Sequence, residues 1–507
     1  MHKKLPLKIL DLFGTSCFLT KFVKLFFYIL ILICTLSCKF FDDSHGSSSS
    51  SLFRGGSCDW LILGYMDADN NLNDSLYTDL IYEQIGLANL SDSTSVKILT
   101  LWDGRNSGSR TYNHPSGALY ELGPIDSATY SSITSGSTNF TMSSSTKDLT
   151  AYAWNWLGTE PDMSDVSTLR NFLSFAAMNY SASNVVLLLS DHGAGTEYET
   201  VSGGYGGRRS LASDDTNGND KLLTATDIKN AIASSGLHVN VIWMDCCLQG
   251  NVETTYALRG IADYLVSSAN SSYSNNHAAI VSGINASTTP LSFATSVVQA
   301  YADTHKERII QMSDNDRRTS FDTMPTQSAY SLDTEKQNTL YNAIEALANA
   351  LITAGDSTCT SVYTSYLKQD YVRNDYKGMA FPGTFAYLND IGYFCKNLKN
   401  NSNSSVSSAA NSVLRALDSV IVSSWLGRTE SESRNYYKKN VTGIPSTVLS
   451  SSDGTFGLTI ATQCDTNPLT GKEYSSFPLY SKYADVTGYS TSWGELMKKW
   501  HTGEYYQ

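Results

Sequence analysis

The sequence predicts an α/β fold built on an open, mostly parallel sheet flanked by helices, with a smaller C-terminal section. Two observations carry this. Short, near-continuous apolar runs rich in β-favouring residues recur along the chain, and helical patterns fall between them. Strands without polar alternation are buried on both faces, as in parallel sheets covered by helices. Alternating β and α elements then imply crossover connections and a doubly wound layer structure. In chain order, the strands are Trp60–Tyr65 (WLILGY), Val96–Trp102 (VKILTLW), Val185–Ser190 (VVLLLS), Val239–Met244 (VNVIWM) and Tyr264–Val266. Helical patterns at Asn73–Leu87, Ser164–Met178 and Ala225–Ser234 separate them, and Asn251–Ile261 follows the fourth. Further helices read at Leu291–Tyr301, Asp333–Leu351 and Val406–Val422. Asn400–Ser408 is polar and rich in Ser and Asn, which marks a linker: residues 58–399 form the main domain and 400–507 a C-terminal section associated with it.

Composition sets outer limits. At 507 residues with 41% hydrophobic and 17% charged content, the chain has ample material for a core, which excludes a wholly disordered or coiled-coil protein. A formal net charge of −12 argues against nucleic acid as the main partner, since phosphate binding needs a basic surface.

The amino terminus indicates export. Lys3, Lys4, Lys8, Lys21 and Lys24 precede the unbroken apolar run Leu25–Leu36. Twelve residues are too few to span a bilayer, where about 20 are needed, but they match a signal-peptide core. The run ends Thr35-Leu36-Ser37-Cys38, with a small residue and a Cys where a bacterial lipoprotein cleavage site has them. Residues 1–38 are therefore read as an export segment with Cys38 as its lipidation site, and 39–57 (KFFDDSHGSSSSSLFRGGS) as a flexible tether. The expectation is an exported bacterial envelope lipoprotein or a secreted protein, touching membrane only through its lipid. Removal of residues 1–38 takes away five Lys and one Asp and leaves a mature charge of −16.

Outside that segment lie Cys58, Cys246, Cys247, Cys359, Cys395 and Cys464. Their spread fits neither a compact disulfide framework nor a zinc ligand set, and no metal site is assigned. The adjacent pair is set apart by its context. VVLLLS runs into Asp191-His192-Gly193-Ala194-Gly195, and VNVIWM runs into Asp245-Cys246-Cys247-Leu248-Gln249-Gly250. In open parallel sheets, ligands sit beyond the carboxyl ends of strands. A His after one strand and a Cys after another suits nucleophilic catalysis, in which the imidazole takes the thiol proton and the thiolate attacks a carbonyl carbon. Gly193 lets backbone N–H groups approach a developing oxyanion, with the nucleophile's own N–H as second donor. The bland alternative is a small buried thiol and a strand-end turn His.

These residues resemble the clostripain family of cysteine peptidases, in the clan of caspases, legumains and gingipains. The strand followed by DHGAG is similar to the family's catalytic-His motif, and the strand followed by DCCLQG to its Asp-x-Cys-Leu motif. DWLILGYMDADNNLN, SAYSLDTEKQNTLYNAIEALANAL, GLTIATQ and YADVTGYSTSWGELMKKW also look familial, so the likeness covers most of residues 58–500. The resemblance implies a caspase-like sheet, Cys247 as the acylated nucleophile and His192 as the general base. It implies Gly193 and Cys247 as oxyanion donors. It also implies that Asp245 is the acidic S1 residue for Arg or Lys at P1, where the alternative is a cap for the helix near Asn251. Cys246 is expected to be a packed side chain. One departure stands out: many relatives carry acidic residues shortly after the strand at Tyr264–Val266, where this chain reads SSANSSYSNN.

Between the dyad residues lies the Gly-rich, polar stretch GTEYETVSGGYGGRRSLASDDTNGNDKLLT. Family members are commonly activated by self-cleavage there, which makes Arg208 and Arg209 candidate sites. No cofactor is required by this reading. Calcium is the one ion that two acidic groups invite, Asp67 with Asp69 and Asp214 with Asp215 and Asp220. Yet DDTNGND lacks EF-hand spacing and reads better as a solvated turn. The competing expectations are a catalytically weak surface lipoprotein that binds peptides or host protein, and a transpeptidase using an amine in place of water.

Overall fold

The computed structural model describes residues 53–91, 93–105, 117–134, 142–193, 195, 211, 214, 216, 223–270, 272–311, 326–363, 365, 388–426, 456–462 and 491–501. The strands are β1 (Gly56–Ala68), β2 (Val96–Gly104), β3 (Ala118–Leu122), β4 (Lys147–Asp148), β5 (Tyr180–Ser190), β6 (Val241–Asp245), β7 (Tyr264–Ser267), β8 (Thr326–Ser331), β9 (Leu388–Asp390), β10 (Ile421–Leu426) and β11 (Thr459–Ala461). Nine of them form one sheet in the order β10-β8-β7-β6-β5-β1-β2-β3-β4, and β9 pairs with β11 in a second. The central five, β7-β6-β5-β1-β2, are parallel, and the outer strands join antiparallel. Every predicted strand lies in this parallel centre. The antiparallel additions were not anticipated.

The helices are α1 (Asn73–Ala88), α2 (Ser127–Thr134), α3 (Thr150–Leu157), α4 (Val166–Asn179), α5 (Ala225–Ser235), α6 (Val252–Ala257), α7 (His277–Ser282), α8 (Pro290–Gln311), α9 (Thr334–Thr353), α10 (Asp356–Val362), α11 (Ile391–Leu398), α12 (Ser404–Val420) and α13 (Thr491–His501). Side chains alternate across a strand. Thus Trp60, Ile62, Met66, Ile98, Trp102, Val186, Leu188 and Trp243 form one apolar cluster with residues of α1, α7 and α8. The alternate positions turn to the other face, where Tyr65 meets Phe172 of α4 with ring centroids 6.1 Å apart.

The expected linker at Asn400–Ser408 is instead the start of α12. Asn403 accepts hydrogen bonds from the N–H groups of Ser405 and Val406, so its polarity is that of a helix cap. The helix buries Val406, Ala410, Val413 and Leu417 and runs directly into β10, which pairs with β8 at the edge of the main sheet. The C-terminal section therefore supplies an edge strand to the sheet. The helix expected over Asn251–Ile261 is only Val252–Ala257.

A buried polar group fixes the end of β6 against the helices. His277 of α7 has no exposed side-chain surface; its Nε2 lies 2.9 Å from Asp245 Oδ2 and its Nδ1 3.0 Å from Glu83 Oε1 of α1. Its ring lies against Trp243, with centroids 4.6 Å apart. Burial opposes charge on this imidazole, but Asp79 beside it and the bonds to Asp245 and Glu83 outweigh burial and hold its pKa well above the usual range. Asp79 is pushed up to about 8, by burial first and then by Asp245 and Glu83, against the lowering effect of His277. At neutral pH the group therefore holds an imidazolium between two carboxylates.

His277→Gln removes the cation and leaves two buried acids facing each other, a change expected to cost about 3–5 kcal/mol in chemical denaturation. The pH dependence has a fixed sign. A histidine raised on folding stabilises fully below its unfolded pKa of about 6.5, and that contribution is lost as pH rises through the folded value. Asp79, raised from about 4 to about 8 on folding, acts in the same direction. Denaturation midpoints of the unaltered chain should therefore fall as pH rises above about 6.5, and His277→Gln should flatten part of that slope.

Candidate active site

The carboxyl ends of the parallel strands share one rim of the sheet, and the segments that carry His192 and Cys247 come together there. In the β5–β6 ladder Ser190 pairs with Asp245, so His192 and Cys247 each lie two residues beyond paired positions on neighbouring strands. The approach is close: a Cβ on Gly193 would lie 2.1 Å from the carbonyl oxygen of Cys247 and 2.9 Å from its nitrogen. Only glycine fits. Leu248, next after the nucleophile, has a φ of +65°, a left-handed conformation that non-glycine residues adopt at a cost of about 1–2 kcal/mol. The turn is held by its neighbours. The N–H of Leu248 donates to Asn270 O at 2.9 Å, and that of Gly250 to Ser268 O at 2.7 Å.

Burial separates the two adjacent cysteines. Cys246 is 2% exposed, and burial pushes its thiol well above the usual range, so it is the packed side chain expected. Cys247 is partly accessible, and the N–H of Ser272 points at its Sγ from 3.2 Å. That contact favours a thiolate. His192 Nε2 lies 2.8 Å from Asn71 Oδ1. Because a carboxamide oxygen only accepts, Nε2 carries the hydrogen, which leaves Nδ1 as the basic nitrogen. Asn70 Nδ2 donates to Asp191 Oδ1 at 2.7 Å, so the turn after β1 holds both residues of the Asp191-His192 pair. Sequence reasoning gave Asn70 and Asn71 no role. Their signal was two asparagines just beyond the carboxyl end of a buried strand.

Asp245 is at the floor of the site, 9% exposed, and it does not cap the following helix. Asn251 does so, accepting from Thr254 N at 2.7 Å. The cation beside Asp245 is His277. In place of the acidic residues of many relatives, the segment after β7 presents Asn270 and Ser272 to the nucleophile turn.

The acids at the end of β1 are buried, and so is Asp214, the one described acid of the stretch read as a solvated turn. Asp67, Asp69 and Asp214 are 1%, 3% and 7% exposed, and the two sequence groups meet in space: Asp69 Oδ2 accepts from Thr216 N at 2.8 Å. Glu160 joins Asp69 and Asp214, and Asp103 of β2 pairs with Asp67, two acids to which sequence reasoning gave no role. At the opposite end of β7, a cleft of about 590 Å³ is lined by His238, Asp263, Tyr264, Leu332 and Asp333, remote from the dyad.

The described cysteines, Cys58, Cys246, Cys247, Cys359 and Cys395, are free thiols. Cys38, Arg208, Arg209, Asp215, Asp220 and Cys464 lie outside the described residues. Among the described residues no helix is long and apolar enough to cross a membrane.

The model of the clostripain family matches residues 64–500. Among solved structures, a secreted C11 cysteine protease from Bacteroides thetaiotaomicron, in complex with an irreversible peptide inhibitor, is similar over 86% of this chain and 99% of its own, at 15% identity and a TM-score of 0.51. An inactive zymogen C11 protease from Parabacteroides distasonis is similar over 87% of this chain and 98% of its own, at 14% identity and a TM-score of 0.52. No curated protein matches by sequence. The two solved structures bear out the caspase-like sheet, and the family match spans both strand-end motifs: the chain belongs to the clostripain family of cysteine-type endopeptidases.

Proposed function

We propose that this endopeptidase is exported, acts through a His192–Cys247 dyad, cleaves after Arg or Lys, and activates itself by cleavage after Arg208 or Arg209. The observation that carries the dyad is Gly193 seated on the backbone of Cys247, which brings the two strand ends into register. With Nε2–H committed to Asn71, His192 Nδ1 takes the proton of Cys247, and the thiolate attacks the scissile carbonyl carbon. The N–H groups of Gly193 and Cys247 receive the oxyanion. As the C–N bond breaks, His192 returns the proton to the departing amine. Water, deprotonated by His192, then attacks the thioester and releases the acid and the free thiol.

Support for a basic P1 comes from charge. Asp245 lies two residues before Cys247, with Glu83 and Asp79 around the one histidine it contacts, His277, so the group is rich in acids. His277 already holds one oxygen of Asp245, so the pull on a substrate guanidinium is weaker than from a free carboxylate. The sequence at residues 1–38 supports export with Cys38 as lipid anchor. Self-cleavage fits the surroundings of the loop, because Leu211 bridges to both Gly193 and Leu223 and would keep the new terminus docked.

On fluorogenic peptides with Arg or Lys at P1, Cys247→Ala should lower kcat/KM by about 10³-fold or more, while Cys246→Ala stays near the unaltered enzyme. Activity that survives Cys247→Ala and disappears in Cys246→Ala overturns the assignment. Asp245→Asn should lower kcat/KM by about 10- to 100-fold on basic P1 and less on neutral P1; equal loss on both removes its specificity role. Arg208→Ala combined with Arg209→Ala should leave a single chain on a denaturing gel, and recovery of the same two fragments would refute those cleavage sites.

A further inference from the structure

We propose that Tyr301 of α8 is a positioning residue for the nucleophile: it holds the segment after β7 so that the backbone N–H of Ser272 stays on the sulfur of Cys247. This rests on the reading of Cys247 as the reactive thiol. Ser272 N lies 3.2 Å from Cys247 Sγ, whereas Ser272 O, which only accepts, is 3.9 Å away. The nearer contact favours the charged sulfur, because an N–H aimed at an anion stabilises it more than the neutral acid. A backbone N–H has no side chain of its own to direct it, so its aim depends on what holds the chain before and after it.

Before Ser272, the grip comes from the nucleophile turn, where the N–H groups of Leu248 and Gly250 donate to Asn270 O and Ser268 O. After it, the grip comes from α8. Tyr273 N–H donates to Tyr301 Oη at 3.2 Å, Asn275 Nδ2 donates to Val297 O at 3.3 Å, and His305 Nε2 lies 3.3 Å from Ser274 O. A carbonyl only accepts, so that imidazole nitrogen carries the hydrogen. Val297, Tyr301 and His305 follow at four-residue spacing, so one face of the helix makes all three contacts. Rings close the arrangement: His305 lies 4.3 Å from Tyr301 and 5.3 Å from Tyr273, and Trp425 of β10 meets Tyr301 edge-on at 5.9 Å between centroids. Of the three bonds, that of Tyr301 is nearest the sulfur, since its oxygen binds the residue directly after Ser272 and the Ser272 hydroxyl faces the same oxygen. Burial holds the Tyr301 hydroxyl well above its usual range, so at neutral pH it is an uncharged partner. The titratable groups around the sulfur are Cys246 and Asp245 of the same strand end, His192 beyond β5 and Tyr301 of α8. Tyr301→Phe leaves every charge among them in place.

The test follows alkylation of Cys247 by iodoacetamide against pH in the full chain, with the modified residue identified by mass spectrometry. In the unaltered chain the rate should reach half its plateau well below the ordinary thiol value of about 8.5. Tyr301→Phe leaves the Tyr273 N–H without its acceptor and loosens the segment, so the profile should move up by about one pH unit. Alkylation at pH 6 then slows about tenfold while the plateau at high pH is unchanged. The same shift should persist in a His192→Ala background, since the Ser272 N–H acts on the sulfur directly. An unchanged profile, or a loss that is equal at every pH, overturns the positioning role. If Cys247 of the unaltered chain reacts no faster at pH 6 than an ordinary thiol, the nucleophile reading falls and takes this role with it; a low midpoint that Tyr301→Phe leaves in place removes Tyr301 alone. Should Tyr301→Phe fail to fold, His305→Ala, which frees Ser274 O, should slow alkylation at pH 6 about threefold with the plateau kept, and no shift there overturns the clamp.

Discussion

The architecture turns on one close approach, the backbone of Gly193 lying on the backbone of Cys247 with no room for a Cβ. That contact needs β5 and β6 in the register that pairs Ser190 with Asp245. A slip by one residue would exchange the faces of the strand and move both reactive side chains away from each other. The register is in turn held by apolar side chains on both faces, Leu187, Leu188, Ile242 and Trp243 among them, none more than 1% exposed. The strained φ of Leu248 is supported from the far side. Three successive backbone bonds, Leu248 to Asn270, Gly250 to Ser268 and Thr459 to Gly250, grip the turn that presents the thiol. A local cost of one or two kcal/mol is easily sustained when so much buried ladder depends on the same geometry.

The same rim carries two groups of buried acids, and strand alternation puts them on opposite faces. Asp245 shares a face with Trp243 and is satisfied by His277, while Asp67 and Asp103 share the other face with Tyr65. On the first face the chain supplies its own cation. On the second, no cation stands beside Asp67 or Asp103 among the described residues, and burial with mutual repulsion holds both carboxyls well above the ordinary range. This difference decides what each group can do. A carboxylate already bonded to an imidazolium keeps its charge balanced, whereas paired buried carboxyls without donors favour the protonated form.

What the sequence made legible follows from how each element is buried. The central strands are covered on both faces, so runs such as VVLLLS and VNVIWM had to be apolar throughout and stood out. β8, TQSAYS, is just as buried yet reads as a polar loop, because its hydroxyls are satisfied inside the sheet. Ser328 Oγ lies 2.8 Å from Ser424 Oγ, and Thr326 Oγ1 lies 2.8 Å from Ser268 Oγ. The strand-end motifs were visible because a His and a Cys stand directly beyond such apolar runs. The partners that tune them were not. His277 reaches Asp245 across 32 positions and Asn71 reaches His192 across 121, and pairings of that span leave no periodic trace in a sequence. The polar residues at Asn400–Ser408 misled for a related reason: a helix cap and a linker draw on the same amino acids.

The order of strands gives the loop between the dyad residues a mechanical meaning. A cut after Arg208 or Arg209 would divide the main sheet into β1–β5 on one chain and β6–β8 with β10 on the other, so the seam between the chains runs between His192 and Cys247. The dyad would then be assembled across a junction and not within a piece. Three features close that junction: the β5–β6 ladder, the bridge from Gly193 to Leu211, and the meeting of Asp214 with the acids of β1 and β2. The first is apolar and permanent, and the second is a single backbone bridge. The third is a meeting of acidic side chains, with Thr216 N–H donating to Asp69 beside it. The second chain is also anchored from behind, since Thr459 and Glu253 join its C-terminal strand to the residues just after the nucleophile. The surroundings of Cys247 are thus held by contacts that do not pass through such a cut.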